Sequence, residues 1–267
     1  MKHIFLIYLL SFFAFQAYAQ ENDSIVVLQS PAGRLSRLID IQDLVHDGFN
    51  FWEDEFKGHF AGVELGMNGF ANPDYSLYPA AEKNFLQNNL ILSNRLNLNF
   101  LQYSIGMQRT RTTIGLVTGM GMSFQSYRLD DNTSISVDEN HLIHPATFYF
   151  DTKQKSKLSS VYLEVPLLFE FQVPIGNYAN RMYFSAGIIG AKRLESHTKI
   201  KYREDGKKEK VKTAGSYSIH DYKAAATIRM GYRWIKLYAT YDLEPMFKDK
   251  QGPVLYPFSV GIMLMSF

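Results

Sequence analysis

The chain has no cysteine. Disulfides are excluded, so an exported domain of this size must hold together by other means. A lipid-modified N-terminal cysteine is excluded too, and any membrane attachment has to come from the polypeptide itself. An excess of one charge is also missing: 28 Lys and Arg stand against 26 Asp and Glu, a formal net charge of +2. That near-balance argues against a nucleic-acid partner, which would demand a basic footprint. Past the N-terminal region no segment reaches the roughly 18 uninterrupted apolar residues of a membrane helix, which excludes a helical membrane protein. Enzyme signatures are thin, with no G-x-S-x-G elbow and no H-E-x-x-H pair. What the chain has in quantity is aromatic residues, 17 Tyr and 20 Phe, which suit strands and the aromatic girdles of a barrel.

The N-terminus reads as a targeting segment. Met1, Lys2 and His3 precede an apolar run from Ile4 to Phe15, and Ala17-Tyr18-Ala19 offers a small-x-small cleavage site before Gln20. A basic start, a short apolar run and that ending describe a secretory signal peptide over residues 1–19. The run falls short of the roughly 20 residues of a spanning helix. The expected mature chain is exported and long enough for one large all-β domain.

Strands announce themselves by parity. From Leu158 to Pro174, Val161, Leu163, Val165, Leu167, Phe169, Phe171 and Val173 form an unbroken apolar odd face. The even face holds Tyr162, Glu164, Pro166, Leu168, Glu170 and Gln172. Period 2 is the strand signature, because successive side chains leave opposite sides of the pleat. Similar alternation covers Ala61–Asn68, Arg95–Phe100, Tyr222–Met230 and Ile235–Glu244, with a parity slip near Gln102 that suggests a bulge. Gly-rich segments near Thr113–Arg128 and Arg181–Arg193, and the terminal Phe258–Phe267, bring the total to eight candidate strands. Pro166 cannot donate to a ladder, so a bulge or broken rung is expected there.

The connections alternate strictly between long and short. Ala71–Leu92, Leu129–Ser156, His197–Tyr217 and Pro245–Pro257 are long, whereas those near Gln108–Thr112, Pro174–Asn180 and Arg233 are short. All long loops then emerge at one end and all tight turns at the other, the asymmetry of an outer-membrane barrel. Within one long connection, Asp205-Gly206 between charged, alternating arms predicts a type I′ hairpin. Its seven Lys and Arg against three acids suit either anionic polysaccharide or lipid phosphates, or simply a solvated ribbon. Residues 20–57 fit no strand pattern and are expected as a periplasmic segment or a plug. Trp52 and Phe56 are expected at an interfacial girdle. The barrel is expected over residues 58–267.

With the apolar parity assigned to lipid, the interior collects Glu64, Glu164, Glu170, Asp242 and Glu244 against Arg95, Arg193, Lys223, Arg229 and Lys236. Five acids against five bases, in an eight-stranded barrel wide enough only for its own side chains, predict a salt-bridged filling rather than an ion path. His141 and His144 after Asp138 and Glu139, and the run Asp130, Asp131, Asn132, are weak metal patterns outweighed by an ordinary polar loop, so no metal or cofactor is expected. A serine hydrolase in the wall would have to pair His220 with Ser185 or Ser218. Met263, Met265 and Phe267 end the alternating last strand on an aromatic, like the signal read by the barrel-assembly machinery.

"GHFAGVELGMNGF" (Gly58–Phe70), "GLVTGMGMSFQSYRL" (Gly115–Leu129) and "YLEVPLLFEF" (Tyr162–Phe171) together resemble the PorT-like outer-membrane β-barrel proteins of the Bacteroidetes. The resemblance spans about Gly58 to Phe267 and implies a barrel in a Gram-negative outer membrane. Some relatives take part in type IX secretion and most have no assigned activity; no catalytic residue carries over. The expected protein is thus an all-β, eight-stranded antiparallel transmembrane up-and-down β-barrel without enzymatic activity. Its role would be structural, adhesive or secretion-associated. Its partners would be outer-membrane lipids, the barrel-assembly machinery and secretion-system proteins. A lipid-modifying enzyme in the barrel wall and a soluble lipocalin-like binder are the alternatives.

Overall fold

The computed structural model describes residues 56–107, 113–129, 133–147, 155–175, 177–204 and 207–266. Eleven strands fill most of this: β1 (Gly62–Asp74), β2 (Asn94–Gly106), β3 (Ile114–Arg128), β4 (Thr133–Val137), β5 (Ile143–Thr147), β6 (Lys155–Ile175), β7 (Asn177–Glu204), β8 (Lys207–Ala214), β9 (Tyr222–Tyr232), β10 (Ile235–Asp242) and β11 (Val254–Ser266). Eight of them pair antiparallel in the order β1-β2-β3-β6-β7-β9-β10-β11, and β11 returns to pair with β1. The ring is therefore closed, an all-β antiparallel meander. Among the described residues, no helix is long and apolar enough to cross a membrane.

Parity sets which side chains point inward. Along β6, Tyr162, Glu164, Pro166, Leu168, Glu170 and Gln172 are buried, while Val165, Leu167, Phe169, Phe171 and Val173 are exposed on the outer face. The β3–β6 ladder stops at Thr118↔Leu167 and resumes at Gly121↔Glu164 in unchanged register, leaving Pro166 without a rung on that side. The Thr118 hydroxyl instead donates to the Pro166 carbonyl at 2.8 Å. The ladder is broken at the proline, but the strand is not displaced.

The slip in β2 is a bulge between Asn99 and Leu101 against β3. Phe100 and Leu101 consequently both lie on the outer face, and Gln102 regains the interior. A second bulge interrupts β1–β11 pairing between Val63 and Glu64. It splits the expected terminal alternation: Met263 is buried inside, whereas Met265 is exposed outside. Phe267 lies outside the described residues. Gly66 and Gly261 face each other across the same pair. A Cβ on Gly261 would lie 2.7 Å from the Tyr238 ring and 2.4 Å from the Leu65 carbonyl, so the paired glycines make room for that inward aromatic.

The long connections gather at one end of the ring, where they pack into a core of their own. Tyr75, Tyr78, Phe85 and Leu86 from the β1–β2 connection meet Ile135 and Ile143, Tyr217 and Ile219, and Met246 and Phe247. Polar links stitch the cap: the Tyr78 hydroxyl donates to the Ile143 carbonyl at 2.7 Å, and the Ser218 hydroxyl to the His141 carbonyl at 2.6 Å. The long connection from Leu129 to Ser156 contains the β4–β5 hairpin, whose five-residue arms are too short to show a period. The charged ribbon is present as β7 paired with β8 from His197↔Ala214 to Glu204↔Lys207; Asp205 and Gly206 lie outside the described residues.

Burial pushes the phenols of Tyr75 and Tyr78 up to about 12. The folded cap holds these protons more tightly than an unfolded tyrosine, which ionises near 10. The contribution is therefore complete below about pH 10 and lost as pH rises towards 12. The difference in phenolate absorbance between the wild type and Tyr78→Phe is expected to titrate near 12. A difference titrating near 10 would mean that Tyr78 is not packed in the cap.

Candidate functional site

The ring interior is polar, and its charges are held by partners from other strands. Glu64 of β1, fully buried, accepts from Arg229 of β9 at 2.6 Å, from Asn99 at 3.0 Å and from Asn97 at 2.8 Å. Arg95 of β2 donates to Glu164 of β6 at 2.6 Å, to Asn97 at 2.9 Å, and to the hydroxyls of Thr240 and Ser259 at 2.8 and 2.9 Å. Lys223 of β9 reaches Asp242 of β10 at 2.6 Å and lies 4.3 Å from the Tyr162 ring centroid. Arg229–Glu64 and Arg95–Glu164 skip at least one strand of the ring, whereas Lys223–Asp242 joins the neighbours β9 and β10. A buried charge needs both a counter-ion and hydrogen bonds to its remaining sites, and the amides and hydroxyls on the same inward parity supply them.

Glu170 finds its partner in the segment before β1, not on a strand. His59 Nδ1 lies 2.7 Å from one carboxylate oxygen, and the His59 backbone N–H donates to the other at 3.1 Å. The imidazole stacks on Tyr183 with centroids 4.2 Å apart. Gln102 accepts the backbone N–H groups of Phe60 and Ala61 at 2.6 and 2.7 Å and donates to the Gly58 carbonyl at 2.8 Å. Gln172 donates to the Lys57 carbonyl at 2.7 Å. Phe56 and Phe60 pack on Val117 and Leu168 inside the ring. Phe56 thus belongs to the interior and not to the expected outer girdle, because Gly115 leaves the space for its ring. Trp52 lies outside the described residues. The turn end of the ring is filled by its own chain.

Two of the ten expected interior charges sit elsewhere, and a third is only half-buried at the mouth of the ring. Glu244 lies beyond the end of β10 and is exposed, because the strand stops at Asp242 and parity ends with it. Arg193 sits at the loop end, bonded to Asp221 and to Ser196 at 2.8 Å; that guanidinium holds the Asp221 carboxyl below its usual range. Lys236 is half-buried at the turn end and donates to the Ser266 hydroxyl at 2.7 Å. Parity alone would have found Asn97, Asn99, Gln102, Thr240 and Ser259, all neutral. Nothing in the period could have found His59, which precedes β1.

The remaining candidates are separated or already engaged. His144 is bonded to Glu82 at 3.2 Å and faces Asp138 at 3.5 Å. Among the described residues no group of three or more His, Asp or Glu is arranged to hold a metal ion. Asp130, Asp131 and Asn132 lie outside the described residues. Ser185 is buried in the interior opposite Arg229, whereas His220 lies at the loop end with its N–H donated to the Met246 carbonyl. Ser218 is committed to His141. At the loop end, β4 and the β7–β8 ribbon enclose a cavity of about 480 Å³, apolar at Ile135, Ile200 and Val211 and hydroxyl-lined at Ser134, Thr198 and Thr213.

The outer surface of the ring reverses the usual order of a folded domain. Leu65, Leu98, Leu167, Ile188, Ile228, Leu237 and Ile262 are exposed on seven of its strands, and Leu116 and Met122 are half-exposed on β3. Leu167 is 61% exposed in the middle of β6, while Glu64 is 0% exposed. Comparison with protein-family models, with curated proteins and with solved structures gives no match.

Arg229→Met strands the Glu64 carboxylate in the interior and is expected to cost about 3–5 kcal/mol, read from the urea-unfolding midpoint. Combining it with Glu64→Gln should recover most of that loss. Additive losses in the double variant would mean that the two side chains do not act as a pair.

Proposed function

We propose that this protein is a non-enzymatic outer-membrane β-barrel whose ring of eight strands spans the bilayer. The observation that carries the reading is the inversion of polarity: exposed apolar side chains outside, paired charges and amides within. Water would penalise such an outer surface, since contiguous apolar patches on soluble monomers seldom exceed a few hundred Å². A hydrocarbon surround removes that penalty, and a closed ladder leaves no edge to be satisfied there. The lipocalin-like alternative needs the reverse parity, with apolar residues lining the cavity.

The filled interior supports a structural rather than a channel role. Ion pairs occupy its middle, Phe56–Ala61 its turn end and the packed cap its loop end. The loop end, with its cavity and charged ribbon, is then the part that meets partners. The resemblance to PorT-like proteins, drawn from sequence motifs, favours an adhesive or secretion-associated role there, with secretion-system proteins as partners. Crosslinking in the native envelope tests that role: capture of secretion components supports it, and capture of none of them removes it.

Membrane integration is tested by fractionation and by heat-modifiable migration on detergent gels. The expected result is a membrane-bound protein that migrates faster unheated than boiled; a water-soluble mature protein would sink the reading. Leu167→Arg sharpens the test. On a lipid-facing strand it is expected to cost about 2–4 kcal/mol of folding into vesicles near the bilayer midplane. On a water-facing surface the same change would be neutral.

A further inference from the structure

Beyond the apolar part of the outer face, the strand register assembles cations into rows. Arg128 of β3 lies opposite Lys157 of β6, Lys157 opposite Lys199 of β7, and Lys199 opposite Lys212 of β8. Four consecutive strands thus place a cation in one row. One step further out, Lys155, Lys201 and Lys210 form a second row across β6, β7 and β8. On the ribbon the intervening residues, Thr198, Ile200, Val211 and Thr213, line the cavity, so the cations occupy the opposite face. That face carries one acid near its base, Glu195, which is bonded to Lys212 at 3.0 Å and lies 3.3 Å from His197.

Like charges directly opposite on neighbouring strands destabilise a sheet. Among the described residues no ion pair reaches Lys199, Lys201 or Lys210. The crowding registers on Lys157: burial first, then Lys199, Lys201 and Arg128, hold its ammonium below the ordinary lysine value. A solvated ribbon needs charge, but it has no need of three lysines in register across β6, β7 and β8. An arrangement of this kind is relieved by a multivalent anion.

We propose that this face binds the phosphate groups of anionic lipid headgroups in the leaflet around the loop end, an inference that rests on the membrane reading above. Position selects the occupant. Phe124 and Val161, the last apolar residues of the outer face on β3 and β6, stand four residues from Arg128 and Lys157 on the same strands. A lipid whose chains cover the apolar face therefore carries its phosphates towards the cations. Basic segments next to a membrane are drawn to anionic headgroups in this way. A soluble polyanion has no reason to be placed along the line where the apolar surface ends.

The test uses the full chain folded in zwitterionic detergent micelles, with or without bis-phosphorylated lipid A, and soluble polyphosphate at matched phosphate concentration as the other arm. Lipid A is expected to raise the unfolding midpoint by about 2–4 °C. The shift should vanish near 1 M salt, where screening acts within about 3 Å. Polyphosphate should leave the midpoint unchanged. Replacing Lys155, Lys199, Lys201 and Lys210 with Gln should abolish the shift without lowering the midpoint in plain micelles, because repulsion is relieved. Should that variant fail to fold, Lys201→Gln with Lys210→Gln, confined to the outer row, is expected to reduce the shift. No shift with lipid A, an equal shift with polyphosphate, or an undiminished shift in the variants overturns the proposal. A protein that integrates into membranes but ignores lipid A removes this inference alone; one that stays in solution removes the barrel reading beneath it.

Discussion

Closure of the ring by β1 and β11 is the constraint on which the remaining structure depends. An open eight-stranded sheet would leave two edges of unpaired N–H and C=O groups, which invite aggregation in water and cost several kcal/mol per group in hydrocarbon. Closure removes both edges and also locks parity. A slip of one residue between β1 and β11 would turn Glu64 outward and Leu65 inward, and every contact of the interior network would be lost with it. The bulge between Val63 and Glu64 belongs to the same constraint. It lets β1 and β11 meet in a register that buries Glu64 and Met263 together while Met265 points outward.

Closure also creates the problem that the interior solves. An eight-stranded ring has room for side chains and little else, so every inward charge must find its partner from within the wall. Arg229–Glu64 and Arg95–Glu164 reach past intervening strands and Lys223–Asp242 joins β9 to β10, while neutral groups such as Asn97, Thr240 and Ser259 take up the remaining donors. Removing one member of such a set leaves the other charge stranded, which is more costly than never having placed the pair. Glu170 is met by Gln172 of its own strand and by groups from outside the ring's strands. The chain supplies His59 and its backbone N–H from the segment that fills the turn end. Pairing and plugging are therefore the same device at that end.

How much of this was legible follows from what a period can carry. The eight strands of the ring, the broken rung at Pro166 and the bulge before Gln102 were all visible, because closed pairing and two-sided environments write themselves into alternation. The β4–β5 hairpin was not, since five residues hold too little alternation to stand out. The interior list was right about orientation for Glu64, Arg95, Glu164, Glu170, Lys223, Arg229 and Asp242, where strand parity continues. It failed at Glu244, past the strand end, and at Arg193, whose partner Asp221 lies in a connection. Partners across the lumen could not be read at all, because they depend on ring geometry and not on neighbours in sequence. The loop cap was illegible for a similar reason: Tyr78, Ile143, Tyr217 and Phe247 come from four connections, and only the ring brings those together.

A ring sealed in this way has its possible roles narrowed by geometry. Its middle is occupied by ion pairs, one end by Phe56–Ala61 and the other by an aromatic core, so activity through the lumen would require breaking contacts that hold the fold. What varies without such a cost lies outside the ring: the cap surface, the cavity against β4, and the β7–β8 ribbon. The ribbon is the informative part, because its two faces obey different rules. One face carries Thr198, Ile200, Val211 and Thr213 and helps to enclose the cavity. The other carries rows of cations in register with β6, with Glu195 as the one acid near its base. A hairpin selected only for solubility would mix signs on both faces, since alternating charges stabilise cross-strand pairs and like charges weaken them. Lys155, Lys201 and Lys210 in one register, in a sheet whose described interior charges are paired, are what the proposed anionic headgroup would neutralise.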